Sequence, residues 1–150
     1  MDELTFEDVS SLEEEKTSYR AVVDFEDLIA WQKARELVAD IYQISRSHIR
    51  PFDRGLSDQM QRAAMSIMAN IAEGHERASL REFHRFLTIA KASCAEFRSH
   101  LYIAMDVGAI EQAAFQRHSL QAKRVGQLIG GLRASVSRQL AAKDANGRPS

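Results

Sequence analysis

Hydrophobic residues recur every three to four positions through most of this chain, which is the period of amphipathic α-helices. Four such segments, at roughly 25–47, 56–75, 79–108 and 111–142, are separated by short breaks. No segment shows the strict alternation of a half-buried strand. Short connections make consecutive helices antiparallel neighbours, so the pattern predicts an all-α protein, an antiparallel up-down four-helix bundle.

The ends of the predicted helices carry their own signals. Asp24 is the predicted N-cap of the first helix, and the sequence 79–82 (Ser-Leu-Arg-Glu) has the form of a capping box at the start of the third. Gly74 is a candidate terminator of the second helix, although the pattern also allows that helix to continue a few residues further, and Gly108 is predicted to end the third. Pro51 marks the loop between the first two.

Charge divides the chain into unequal parts. Residues 1–24 have no sustained hydrophobic period and hold eight acidic residues against Lys16 and Arg20, a net charge of −6. Residues 25–150 hold 18 basic and 13 acidic residues, a net charge of +5. We therefore predict a mobile acidic arm at 1–24, the helical bundle at 25–142 and a frayed tail at 143–150. A basic body is compatible with a polyanionic partner, although a solvated surface is the commoner reason for such charge.

Composition excludes several classes of protein. The chain has 150 residues, enough for one domain, and contains no run of about 18 apolar residues that could cross a membrane. The acidic N-terminus does not resemble a signal peptide, so we expect a cytoplasmic protein without membrane contact. Cys94 is the only cysteine and lies in the apolar stripe of the third helix, which indicates a buried, inert thiol.

Catalytic, metal and cofactor motifs are missing. The Glu-x-x-His repeats of di-metal bundles do not occur, no glycine-rich phosphate loop follows a strand, and no histidine has an evident Ser or Cys partner. We expect no enzymatic activity, no metal and no cofactor.

A polar stripe interrupts the second helix. Ser66, Asn70 and Glu73 are spaced i, i+4 and i+7 on one flank of its apolar face, and Gln59 belongs to the same stripe. Their candidate partners on one flank of the third helix are Glu82, Ser93, Glu96 and His100. Such groups either form hydrogen bonds that fix how the helices pack, or line a subunit seam or ligand groove. The sequence leaves both readings open.

Basic residues form two groups that are candidates for nucleic-acid binding. Arg117, Arg124 and Arg138 recur at multiples of seven along the fourth helix, with Lys123 adjacent, and a second group repeats every four residues at the start of the third: Arg77, Arg81 and Arg85. Phosphate backbones bind such rows with strong salt dependence. Aromatic residues do not interleave with them, so we expect sequence-tolerant binding without base stacking. The alternative is a solvated helix surface with ion pairs.

The order of residues resembles one known family. The pattern comprises Leu28…Trp31-Gln32-Lys33-Ala34…Leu37, then Gln59…Arg62-Ala63-Ala64…Ser66-Ile67…Asn70-Ile71-Ala72-Glu73-Gly74, and then Phe83…Phe86-Leu87…Ser93…Glu96. It is similar to the four-helix-bundle family encoded in intervening sequences of bacterial 23S rRNA genes, over about residues 25–140. The chain departs from that family at Ala92, where glycine is usual, and at Gly130-Gly131, where larger residues are expected.

The resemblance implies properties that periodicity does not. It implies a ring-like homo-oligomer, with a pentamer favoured. A related branch serves as the accessory protein of diversity-generating retroelements and associates with nucleic acid and a reverse transcriptase. We therefore expect a non-enzymatic homo-oligomer that binds structured RNA or another nucleic acid through its arginine-lined surfaces. The alternative is a scaffolding homo-oligomer that binds a protein partner and has no nucleic-acid role.

Overall fold

Four α-helices form the fold of the computed structural model, which describes residues 22–147. Residues 1–21, most of the predicted acidic arm, lie outside the described residues. The helices are α1 (Ile29–Ile44), α2 (Arg54–Glu76), α3 (Leu80–Asp106) and α4 (Gln112–Asn146). A short 3-10 helix, Phe25–Asp27, precedes α1, and one π-helical turn, Ser45–Ile49, follows it. The described part of the chain contains no strand, and the all-α prediction is confirmed.

Neighbouring helices run in opposite directions. Residues late in one helix contact residues early in the next, as antiparallel packing requires. The contacts that show this are Ser66–Ser93 and Gly74–Phe86 between α2 and α3, and Lys91–Gly126 and Arg81–Asp144 between α3 and α4. The first helix packs against α2 on one side and α4 on the other. The helices therefore occupy the corners of a bundle in chain order.

The core lies along the common axis of the four helices. Each helix contributes a stripe of buried apolar side chains, and the largest of them are completely or almost completely enclosed: Leu37, Ile41, Met60, Ile67, Ile71, Phe83, Leu87, Phe97, Leu101 and Ile129. Burial of such a side chain stabilises the fold by about 1.5–3 kcal/mol. In α2 the stripe also contains Ala63 and Ala64, whose small size lets neighbouring helices approach closely.

Gly74 serves close packing and does not end its helix, which persists two residues further. The α2 helix continues to Glu76, and Gly74 is buried against α3. A Cβ atom at this position would lie 2.5 Å from Phe86 Cβ and 3.0 Å from Phe83 Cδ2. The position therefore requires glycine because two helices meet there.

The caps show where local signals were reliable. Ser79 accepts a hydrogen bond from the Glu82 backbone N–H at 3.3 Å, and Gly108 has a φ of 80° at the end of α3, so both predictions are confirmed. The predicted N-cap at Asp24 is wrong, because its side chain makes no capping bond and α1 begins only at Ile29. An unpredicted cap occurs at Asp53, whose carboxylate accepts from Leu56 N–H at 3.0 Å.

The end of α4 extends beyond its predicted limit. The helix runs to Asn146, so the first four residues of the predicted frayed tail are helical. Asp144 forms an ion pair with Arg81 of α3, with 3.3 Å between Asp144 Oδ2 and Arg81 Nη2. This contact joins the end of α4 to the beginning of α3.

Candidate nucleic-acid interface and polar seam

Three of the predicted seam residues meet between α2 and α3. The hydroxyls of Ser66 and Ser93 are 2.9 Å apart. Asn70 donates through Nδ2 to the Ser66 backbone carbonyl at 2.7 Å and to the Ser66 hydroxyl at 3.0 Å. Ser93 is buried, while Ser66 and Asn70 are half-buried. Because a partly buried hydroxyl or amide loses stability without a partner, this network favours one register of α2 against α3.

The other members of the predicted seam are exposed. Glu73 forms an ion pair with Arg77 at 3.2 Å, which is local to the end of α2. Gln59, Arg62 and Glu96 lie on the same flanks as the hydroxyl pair and have exposed side chains. Arg62 and Glu96 are one turn from that pair on their respective helices, yet they form no ion pair with one another. The seam therefore consists of a small hydrogen-bonded centre and an open polar margin.

Exposed apolar residues flank this seam, and the sequence reasoning missed them. Ile89 and Ile103 are 38% and 46% exposed, seven residues on either side of Glu96 on α3. Val107 lies one turn beyond Ile103 and is also exposed. The seven-residue spacing was visible in the sequence, but a flank cannot be distinguished from a core edge until the helices are placed.

The three arginines predicted at the start of the third helix are all engaged in ion pairs, and Arg77 lies before α3, as the C-cap residue of α2. Arg77 pairs with a carboxylate of α2, Arg81 with one of α4, and Arg85 with Glu82 at 3.2 Å. The guanidinium carbons of Arg77 and Arg85 also lie 5.1 and 5.0 Å from the ring centroid of Phe86. Local carboxylates therefore neutralise much of the charge that this group offers to a polyanion.

The basic residues predicted on the fourth helix, Arg117, Arg124 and Arg138 (the α4 row) with Lys123 adjacent, have no carboxylate partners in the described part of the chain. Arg117 and Arg138 are exposed and Arg124 is half-buried, and Lys123 is exposed on a neighbouring face. No carboxylate within residues 22–147 forms an ion pair with any of these four side chains. From Gln112 to Lys143 the helix contains six basic residues and no acidic one. Their positive charge is therefore available to an external anion.

Cys94 and the cleft near the α2–α3 turn do not suggest a nucleophilic centre. Burial raises the pKa of the Cys94 thiol to about 12, despite the nearby charges of Lys91 and Arg98 that lower it. The cleft, of about 500 Å³, contains Ser79, which is engaged as a helix cap, and Lys143. No group of three or more potential metal ligands occurs within residues 22–147. None of the helices there is long and apolar enough to cross a membrane.

A buried histidine links α4 to α1 and makes stability depend on pH. His118 Nδ1 lies 3.4 Å from Gln121 Oε1, and Gln121 Nε2 donates to Asp40 Oδ2 at 2.9 Å. Burial lowers the pKa of His118 below 6.5, with a smaller contribution of the same sign from Arg117, whereas the Gln121 bond and Asp40 raise it. The folded state thus resists protonation of His118.

We expect the protein to lose stability as pH falls through about 6.5 because of this group. The unfolded histidine takes up a proton near pH 6.5, but the folded one does so only at lower pH, so stability is fully present above 6.5 and falls as pH decreases. The contribution of one proton is at most about 1.4 kcal/mol per pH unit. Urea unfolding at several pH values measures it. His118→Gln should show a shallower pH dependence, and an equal slope would contradict the assignment.

Comparison with known proteins shows the family to which the chain belongs. Residues 26–131 match the family model of the 23S rRNA-intervening sequence protein. The chain belongs to this family. The matched region contains α1 to α3, the hydrogen-bonded centre of the seam and the first half of α4. The resemblance in the sequence is therefore confirmed. Of the residues that carry it, Ser66, Asn70 and Ser93 form the hydrogen-bonded centre of the α2–α3 seam. No curated protein matches the chain.

A solved structure supports the fold of this member of the 23S rRNA-intervening sequence protein family. It is the crystal structure of a protein of unknown function from the S23 ribosomal protein family, from Bacteroides thetaiotaomicron. The two share 20% sequence identity and a TM-score of 0.62, over 67% of this chain and 94% of the other. At that identity the likeness concerns the fold alone. Of the two departures from the family pattern, Ala92 is exposed and Gly130 lies beside Lys91.

Proposed function

We propose that this protein is a non-enzymatic, cytoplasmic homo-oligomer that binds structured RNA through the arginine-lined surface of α4. The observation that supports it is the run from Gln112 to Lys143, in which six basic residues occur without an acidic one. Four of them, the predicted RNA contacts Arg117, Lys123, Arg124 and Arg138, have no ion-pair partner in the described bundle. A buried single cysteine, Cys94, is compatible with a reducing compartment.

Self-assembly multiplies this charge. In a ring of identical subunits each α4 row is repeated around the axis, so a modest charge per chain becomes a continuous basic surface. The family resemblance favours five copies. The candidate contact is the polar margin of the seam, Arg62 and Glu96, with the exposed Ile89 and Ile103 beside it. Exposed apolar side chains next to charged ones can supply the apolar core and the polar rim of a protein interface.

The second candidate function is a scaffold that binds a protein partner. The same exposed apolar flank favours it, since Ile89, Ile103 and Val107 would be covered equally well by another protein. On this alternative the basic residues of α4 only solvate the helix. The two functions differ in whether nucleic acid is retained.

The test is binding of the purified full-length protein to a structured RNA over a series of salt concentrations, with molar mass followed by light scattering. We expect an oligomer whose affinity falls steeply with salt, because each phosphate contact contributes about 0.7–0.9 to the slope of log K against log salt. An oligomer that does not retain RNA at low salt would contradict the RNA proposal and favour the scaffold. A monomer would contradict the proposed assembly.

A further inference from the structure

A groove between α3 and α4 contains three basic residues that neither predicted row includes, Lys91, Arg98 and Arg133, together with Lys123 from beside the α4 row. Lys91 of α3 crosses to α4, where its Nζ donates to the Gly126 carbonyl at 3.2 Å. A Cβ atom at Gly130 would lie 3.0 Å from the same Nζ. Eleven residues further along α3, the rings of Tyr102 and Phe115 have their centroids 4.7 Å apart. These contacts fix the register of the two helices along the groove.

Helical spacing from these contacts places three more basic side chains along the same groove. Arg98 lies two turns from Lys91 on α3, and the side-chain charges of both act on Cys94 between them. On α4, Lys123 is one turn before Gly126 and Arg133 is one turn after Gly130, so both belong to the face that meets α3. Lys123 is exposed and the others are half-buried.

Carboxylates are absent from the middle of this groove, and the nearest ones along the two helices are Asp106, one turn beyond Tyr102, and Glu111, one turn before Phe115. Glu96 is the one acidic residue of α3 between Phe83 and Met105, and it lies on the opposite flank, beside the α2–α3 seam. The facing stretch of α4 has none. Lys91, Arg98, Lys123 and Arg133 therefore have no ion pair within residues 22–147, and the buried Nε of Arg98 has no hydrogen-bond partner there. These donors suit phosphate oxygens.

An exposed aromatic ring lies at one end of the groove. Tyr102 is 52% exposed, although its ring rests against Phe115 at an interplanar angle of 59°. It is one helical turn beyond Arg98. A cation track ending at an exposed aromatic ring is the combination with which proteins bind single-stranded nucleic acids, since phosphates follow the charges and a base stacks on the ring. The expectation of no base stacking considered only the two arginine rows, which lack this ring.

We infer that the α3–α4 groove binds a single-stranded stretch of RNA, with phosphates along Lys91, Arg98 and Lys123 and a base stacked on Tyr102. The inference rests on the proposed RNA function and gives it a ligand class. From Phe115 to Arg133 the groove extends about 27 Å, enough for several nucleotides. Packed helices have axes about 8–10 Å apart, so the furrow between them is too narrow for a duplex.

The test compares the binding of two RNAs to the full-length protein over the same series of salt concentrations. One is a short single-stranded oligonucleotide with 2-aminopurine as a stacking reporter, and the other is a blunt duplex of equal charge. We expect Tyr102→Ala to weaken single-strand binding about tenfold and to abolish quenching of 2-aminopurine, with duplex binding unchanged. Tyr102→Phe should retain both. Lys123→Glu should weaken single-strand binding and lower its salt slope by about one.

Two controls match these changes outside the groove. Phe52→Ala removes an aromatic ring that is 59% exposed in the loop before α2, and Arg54→Glu reverses an exposed charge with no ion-pair partner in the described residues. Both should bind the single strand with about the affinity of the unmodified protein. Circular dichroism shows whether each variant is folded.

The outcomes separate this inference from the function on which it rests. Failure of the unmodified protein to bind either RNA would overturn the proposed function, and the inference with it. Binding of the unmodified protein with unchanged affinity and quenching in folded Tyr102→Ala would overturn the groove alone. An equal loss of duplex and single-strand binding in Tyr102→Ala would also overturn it, because a stacking site acts on unpaired bases.

Discussion

Replacing Gly74 with alanine is expected to destabilise the protein by about 2 kcal/mol. The added methyl group would lie 2.5 Å from Phe86 Cβ, which is attached directly to the backbone of α3 and cannot rotate away. The helices must separate, and because the clash is with an atom fixed to the backbone we expect a cost at the upper end of the usual range for overpacking, about 3 kcal/mol. The better helix propensity of alanine offsets about 1 kcal/mol of that cost. Urea unfolding followed by circular dichroism at constant protein concentration measures the difference.

Gly126 provides the matched control for this prediction. It is also a glycine inside a long helix, but a Cβ atom there would approach no closer than 3.8 Å, to Cys94 Cβ. Gly126→Ala should therefore stabilise the protein by about 0.5–1 kcal/mol through helix propensity alone. If both substitutions shift the unfolding midpoint in the same direction, the close approach of α2 to α3 at Gly74 does not determine stability.

The two glycines show what periodicity can and cannot predict. The sequence predicted the number of helices, the capping role of Ser79 and the turn at Gly108, because these depend on residues within a few positions. Gly74 looks like a terminator when only its own helix is considered. Its role depends on Phe86, which lies on another helix, and nothing local to residues 70–78 reveals that contact.

The ion pair of Arg81 with Asp144 was not predicted from the sequence, also because the two partners lie on different helices. Arg81 is followed 63 residues later by its partner Asp144, beyond the predicted end of the fourth helix. The local partners of Arg77 and Arg85, at i−4 and i−3, were visible in principle. By contrast, the contact of Ser66 with Ser93 could be proposed in advance, because both hydroxyls lie on the flanks of strong apolar stripes and such stripes must face one another.

Reversing the charge of the α4 row is expected to lower RNA affinity by on the order of 100-fold at low salt. The variant carries Arg117→Glu, Arg124→Glu and Arg138→Glu. Each substitution removes a cation that has no ion-pair partner in the described bundle and puts a repelling charge in its place. Loss of three phosphate contacts should also reduce the salt slope by about two to three. Filter retention of structured RNA across a salt series measures both quantities.

Two comparison variants make this result specific to charge and position. Lysine at the same three positions keeps the cations and should retain most of the affinity, whereas a loss there would indicate that guanidinium geometry matters. Glutamate at Arg77 and Arg85 should have a smaller effect, because Glu73 and Glu82 already neutralise those side chains. If that pair of substitutions lowers affinity as much as the α4 variant, the RNA surface lies at the start of α3. If neither lowers it in an oligomer that still binds RNA, the α4 row is not the binding surface.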